Sequence, residues 1–245
     1  MPAVLPLSSP APNIPGLLDP IVVSDVTSDA RMIVASPSIV PDLWRQYLDG
    51  AHAAYSARGV DDALDYDAIC DGSSTTVFCA VINSAGDVVG GLRVQGPYTL
   101  PHQSHAVTEW DGQPGQSELI RAIGARLAGG LIEVKSAFVD PTSSDAAAAA
   151  GFLARTPLIV MAATGTRHML ATAADYVLAR WESGGGRVDT DIPYTPYPDE
   201  RYRTQAMFWD RDLLARHAKP SVWRTMCTEF RQISHTFDAG SVDVA

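Results

Sequence analysis

The chain has 245 residues, room for one large domain with a substantial core, and 46% hydrophobic against 19% charged residues is an ordinary globular balance. Its net charge of −10 repels a phosphate backbone, which argues against nucleic acid as the main partner and leaves room only for a local basic pocket. No apolar run reaches the roughly 18 residues of a membrane helix. Cys70, Cys79 and Cys227 show neither CxxC nor Cys/His spacing, so no membrane, metal or disulfide framework is expected, and the cytoplasm is the expected compartment.

Residues 1–25 read as a Pro-rich arm. In the segment 40–60, Leu43, Tyr47, Leu48, Ala51 and Tyr55 recur at helical spacing, and Gly59 offers a stop. An acidic loop over 61–74 follows. "TTVFCAVI" and "DVVGGLRVQ" read as strands joined by a short turn at Ser84, Ala85 and Gly86. Beyond a Pro/His/Gln loop, "GQSELIRAIGARLAGG" reads as a helix closed by Gly129 and Gly130. "LIEVKSAFVD", 131–140, reads as a central strand. Asp145 is placed to cap an Ala-rich helix to Leu153, and Pro157 predicts a break near Thr156 before a second helix to Thr164. "RHMLATAA" reads as a strand, "DYVLARWESGGG" as a helix, "RVDTDIPYTP" and "YRTQAMFWDR" as strands, and "SVWRTMCTEFRQI" as a last helix. This predicts one α/β domain over 26–217, with antiparallel pairing early and a β-α-β-α-β run later, and a C-terminal helix and tail over 218–245.

The order helix, hairpin, strand, helix, strand, helix, strand, strand resembles the GNAT acyltransferase fold. Within it, three segments over residues 40–210 look most like the acyl-homoserine lactone synthases and related N-acyl amino acid synthases. These are the acidic "LDYDAICD", the strand "GDVVGGLRVQGPYTL" with its Gly-Pro-Tyr break, and "IEVKSAFVD" where those synthases have an E-x-S-R-F-like strand. The resemblance implies a central mixed, mostly antiparallel sheet flanked by helices. It also implies an N-acyltransferase that moves an acyl group from acyl-CoA or an acyl carrier protein to the amine of a small molecule, with no metal. A homodimer is left open. The chain departs from the pattern at Ser136, where the family has Arg, and at Trp181, near where many GNAT enzymes place a Tyr. "DPTSSDAAAAAG" replaces the phosphate-binding Q/R-x-x-G-x-G/A loop. These departures favour the alternative, a catalytically inactive binding or regulatory protein on the same fold.

The resemblance implies that Arg93 anchors the acidic loop, through Asp65 or Asp67, beside the amine site, with Tyr98 next to it. Glu133 is the expected general base, because a carboxylate inside an apolar strand is either paired or functional; Lys135 shares its strand face. His168, which titrates near neutrality, is the second candidate. Phe138 and Val139 are expected to border the pantetheine arm, and Thr142, Ser143 and Ser144 to meet phosphate oxygens, although an ordinary cap cluster has the same composition. Tyr194, Tyr197 and Tyr202 either line a pocket or pack a Pro-stiffened crossover. Arg121, Arg126, Lys135, Arg155 and Arg167 are the candidate members of a basic patch for an acidic carrier protein.

Overall fold

The structure is a computed structural model, and it describes residues 19–238. The strands are β1 (Ile21–Ser24), β2 (Arg31–Ala35), β3 (Val77–Ile82), β4 (Val88–Gln95), β5 (Leu131–Val139), β6 (His168–Ala174), β7 (Arg187–Val188) and β8 (Thr204–Asp210). The helices are α1 (Pro41–Ser56), α2 (Tyr66–Ile69), α3 (His105–Glu109), α4 (Gln116–Gly124), α5 (Ala146–Leu153), α6 (Pro157–Ala163), α7 (Leu178–Ser183), α8 (Leu214–His217), α9 (Pro220–Arg231) and α10 (Ser234–Asp238). The eight strands form a single sheet in the order β1-β2-β3-β4-β5-β6-β8-β7, antiparallel except for the β5–β6 pair.

Strand alternation sorts the core into two layers. Met32, Val34, Val77, Cys79, Leu92, Val94, Ile132, Val134, Met169 and Met207 face α5, α6 and α9. On the other face, Phe78, Ala80 and Phe138 meet α1, and Leu131, Leu170 and Phe208 meet α3 and α4. The β1–β2 hairpin has no counterpart in the sequence expectations. Residues 21–24 belong to the sheet rather than to an arm, with Ile21 and Val23 buried; residues 1–18 of the arm lie outside the described residues. The helix expected over "SVWRTMCTEFRQI" is α9, which packs into the main core through Met226. Of "RVDTDIPYTP", only Arg187–Val188 pairs as a strand; Pro193 and Pro196 cannot donate to a ladder, and the rest crosses as a loop that meets β8 at a single Thr195–Thr204 bridge.

Two irregularities in β5 open and shape the centre of the sheet. Its pairing with β6 runs only from Leu131–His168 to Val134–Ala171, after which each strand continues alone, β5 along β4 and β6 along β8. Next to this parting, Arg93 pairs with Lys135 but Gly91 pairs with Phe138, so β5 carries one extra residue. That is a bulge, and Ser136 within it has φ of 50°, a left-handed conformation that costs a non-glycine residue on the order of 1–3 kcal/mol. The bulge is held from both sides: the Tyr47 hydroxyl donates to the Ser136 carbonyl at 2.9 Å, and Arg93 Nε donates to Ser136 Oγ at 3.2 Å.

Candidate functional site

Where β5 and β6 part, a cleft of about 680 Å³ opens between them, within the range of small-molecule sites. Its floor and walls are strand residues, among them Lys135, Ser136, Phe138, Val139, Thr172 and Ala173. Elements from both faces of the sheet close it. Tyr55, Arg58 and Val60 come from the end of α1 and the turn after it, and Tyr197 and Tyr202 from the crossover before β8. From the opposite face come Ala147, Ala150 and Leu153 of α5 and Arg180 and Trp181 of α7. The alanines of α5 matter here, because a short side chain on that helix leaves space against the strands. The lining holds three cationic side chains, Arg58, Lys135 and Arg180, and among the described residues no carboxylate, in a protein of net charge −10. Such a cleft favours a ligand with an apolar middle and anionic or polar ends.

Beneath the floor lies a buried polar network organised by two glutamates. Glu133 is fully buried, and its carboxylate accepts from the Tyr98 hydroxyl at 2.8 Å, the Ser104 hydroxyl at 3.0 Å, and the backbone N–H groups of His105 at 2.9 Å and Ala106 at 3.0 Å. The last two are the first free donors of α3. Ser104, at the capping position, makes no side-chain cap bond, so a carboxylate from another element supplies the cap. At the other end of α3, buried Glu109 takes the Lys135 ammonium as an ion pair and lies 3.0 Å from His105 Nδ1; the His105 side chain is 35% exposed and that of Lys135 10%. Burial pushes the Glu109 carboxyl up, but Lys135 and His105 outweigh it and bring the group down to about 2. Lys135 is opposed by burial too, yet Glu109 and Glu133 hold it above the ordinary lysine value. Burial pushes the Tyr55 and Tyr197 phenols up to about 12, so both stay neutral.

One stability prediction arises from Glu109. Its pKa is depressed from 4.5, so the pair contributes fully above that value and is lost as pH falls towards about 2. Acid titration of the melting temperature is expected to show this loss in the wild type and a flatter curve over that window in Glu109→Gln.

The sequence-predicted residues divide between cleft, network and elsewhere. Phe138 and Val139 line the cleft, as do Tyr197 and Tyr202; Tyr194 instead lies outside it, 44% exposed, with the Arg203 guanidinium 4.0 Å over its ring. Thr142 bonds to Asp140 and Ser143 to the Asp145 backbone, which shapes the turn before α5, and neither they nor Ser144 belong to the lining. Arg93 differs from its expected role. It is buried, bonded to Ser136, and leaves Nη1 without a partner, whereas Asp65 and Asp67 are exposed on the loop around α2 and make no ion pair with it. A strand-end arginine next to a bulge finds its acceptor in the bulge. Tyr98 serves Glu133 rather than the lining. His168 opens β6, about 10 Å before the strands part by strand rise, 3.9 Å from Asp210, and its imidazole pKa is lowered by burial. The five candidate basic-patch residues separate: Arg155 is in a buried ion triad, Arg167 pairs with Asp210, Arg121 with Glu118, Arg126 lies over Phe208, and Lys135 holds Glu109. Sequence reading missed Glu109, Arg58 and Arg180. For Glu109 a signal exists, the His105/Glu109 pair at i,i+4 in "HAVTEW".

No family model matches the sequence. Among solved structures, the chain is similar to FeeM, an N-acyl amino acid synthase from uncultured soil microbes, at 16% identity and a TM-score of 0.50, covering 84% of this chain and 99% of that one. It is also similar to BjaI, a CoA-dependent acyl-homoserine lactone synthase solved with SAM and isopentyl-CoA, at 16% identity and 0.51, covering 88% and 90%. The acyl-homoserine lactone synthase LasI matches at 13% identity and 0.51, covering 77% and 96%. At these identities the likeness is one of fold, a GNAT-like, acyl-homoserine lactone synthase-like arrangement. In sequence, the chain is 46% identical over 222 residues to the uncharacterized protein Rv1356c of Mycobacterium tuberculosis and equally to Mb1391c of Mycobacterium bovis, covering 89% of this chain and 84% of each relative. The chain therefore belongs to the family of these mycobacterial proteins, and that family carries this GNAT-like fold.

Proposed function

We propose that the protein is an N-acyltransferase that takes an acyl group from a pantetheine thioester, on coenzyme A or an acyl carrier protein, and delivers it to the amine of a small molecule. The observation that carries this reading is the open parting of β5 and β6. A pantetheine arm carries amide groups that need backbone partners, and two strands that have stopped pairing with each other present unshared edges to it. The cleft takes its walls from both faces of the sheet, which gives a thioester and the amine that attacks its carbonyl carbon separate walls to lie against. Phe138, Val139, Ala150 and Leu153 suit the acyl chain, and Arg58 and Arg180 suit anionic ends. In this reading Glu133 is not the base: four donors occupy its carboxylate, and it organises α3. Arg93 braces the bulge rather than the acidic loop.

The inactive alternative predicts side chains filling the gap beside 134–139, and an open cleft of this volume speaks against it. The test titrates acyl-CoAs from acetyl to dodecanoyl into the protein, then follows thiol release and amide formation with a mixture of the standard amino acids as acceptors. Binding and turnover are expected in the wild type. Ala150→Trp, which fills the cleft from a helix surface, is expected to abolish thioester binding with little change in melting temperature. Binding that survives this substitution places the thioester elsewhere, and no binding or turnover with any thioester defeats the reading.

A further inference from the structure

Among the described residues, Lys135 is the one charged side chain that both belongs to the buried network and lines the cleft at the bulge, next to Ser136. Its surroundings are fully occupied by groups with reasons to be there. Glu109 of α3 holds the ammonium, Glu133 lies two positions away on β5, the Tyr197 ring centre is 6.0 Å from Nζ, and Tyr55 borders the same cleft from α1. Arg93 on β4 is the register partner of Lys135 and turns its guanidinium to Ser136. His105 touches Glu109 from the side that meets solvent. A buried carboxylate that keeps Lys135 charged, in a residue that also lines the cleft, points to a task for that proton.

We propose that Lys135 is a catalytic residue that protonates the departing thiolate, with Glu109 as its positioning residue. The inference rests on the acyl-transfer reading. In the step, the lone pair of the free amine attacks the thioester carbonyl carbon, the C–N bond forms, and the C=O π pair moves to oxygen. Collapse re-forms the C=O bond and breaks C–S, and sulfur leaves with the bonding pair. Lys135 gives sulfur one proton and takes back the one shed by nitrogen, so thioester and amine become amide and thiol with the lysine unchanged. The Lys135 side chain is 10% exposed, and the ion pair with Glu109 fixes where its ammonium points.

The experiment compares two thioesters of one acyl chain, an N-acetylcysteamine ester and an S-phenyl ester, with the amine that supports wild-type turnover. The phenyl thiolate is the weaker base and leaves without protonation. Lys135→Met and Lys135→Arg are expected to lower kcat for the alkyl thioester about 100- to 10,000-fold with KM little changed, and to lower it far less for the phenyl thioester. Arginine keeps the charge and the ion pair with Glu109 but holds its proton too tightly to give it up. The ratio of the two rates is taken on one preparation, so it is insensitive to the fraction folded. In Glu109→Gln the lysine loses its counter-ion, and the alkaline fall in kcat is expected to move to lower pH. Equal losses on both thioesters, or no loss in either variant, overturn the role of Lys135. A wild type that turns over neither these thioesters nor any acyl-CoA overturns the acyl-transfer reading itself, whatever the Lys135 variants do.

Discussion

Glu133→Gln is expected to destabilise the protein by about 3 kcal/mol or more, since each hydrogen bond to a buried charged group contributes roughly 1.5–3 kcal/mol. The isosteric amide keeps one acceptor oxygen and turns an NH2 towards groups that are themselves donors: the Tyr98 and Ser104 hydroxyls and the backbone N–H groups of His105 and Ala106. The hydroxyls can rotate, and the two backbone donors cannot. The start of α3 then loses its cap, and α3 carries Glu109 at its other end. Activity is therefore expected to fall together with melting temperature, through displacement of the Glu109–Lys135 pair. Chemical denaturation of Glu133→Gln beside Tyr98→Phe, which removes one donor and leaves the carboxylate, provides the measurement. A Glu133→Gln protein of wild-type stability and sharply reduced turnover would return Glu133 to the role of base.

Arg155→Ala is expected to be the most destabilising single substitution, at about 3–5 kcal/mol, because it strands two buried carboxylates. Arg155 Nε lies 3.0 Å from both oxygens of Glu229 on α9, and Nη2 lies 2.7 Å from Asp25 Oδ1 after β1. All three residues are buried, and they tie the edge hairpin and α9 to the junction of α5 and α6. Burial pushes the Glu229 carboxyl up even against Arg155, so without the guanidinium it takes a proton more readily. The deficit of Arg155→Ala should therefore shrink as pH is lowered. At 2–4 °C per kcal/mol for a domain of this size, the melting temperature should drop by roughly 10 °C near neutral pH. Because α5 is a wall of the cleft, thioester affinity should weaken in the same variant. Lysine at this position restores the charge but not the fork that reaches both carboxylates, and a partial rescue is expected.

Much of the architecture was legible because it was written in local patterns. The apolar spacing of α1, the Ser84–Gly86 turn between β3 and β4, the Pro157 break between α5 and α6, and the central strand β5 all appear as expected. The β1–β2 hairpin did not, because strands of four and five residues, IVVS and RMIVA, are too short for a period to show and are stabilised by the sheet they join. The family resemblance implied the acidic loop as the partner of Arg93, but pairing depends on which buried acceptor is near, and β5 supplies one by bulging at Ser136.

Residue types and spacing by themselves determined the α/β class, most of the elements from α1 onward, the central strand and the presence in it of a carboxylate and an ammonium two positions apart. They could not decide which of the two would be enclosed by donors and which would border a cleft. That was settled by the tertiary structure. A helix five residues long comes down on β5, its first N–H groups take Glu133 and its last residue takes Lys135. The strands part after Val134, and the lysine thus falls at the edge of the opening while the glutamate stays among paired strands. The physical reason is that a buried charge takes whichever partner the packing brings within about 3 Å, and no single segment of the sequence contains both members of such a pair.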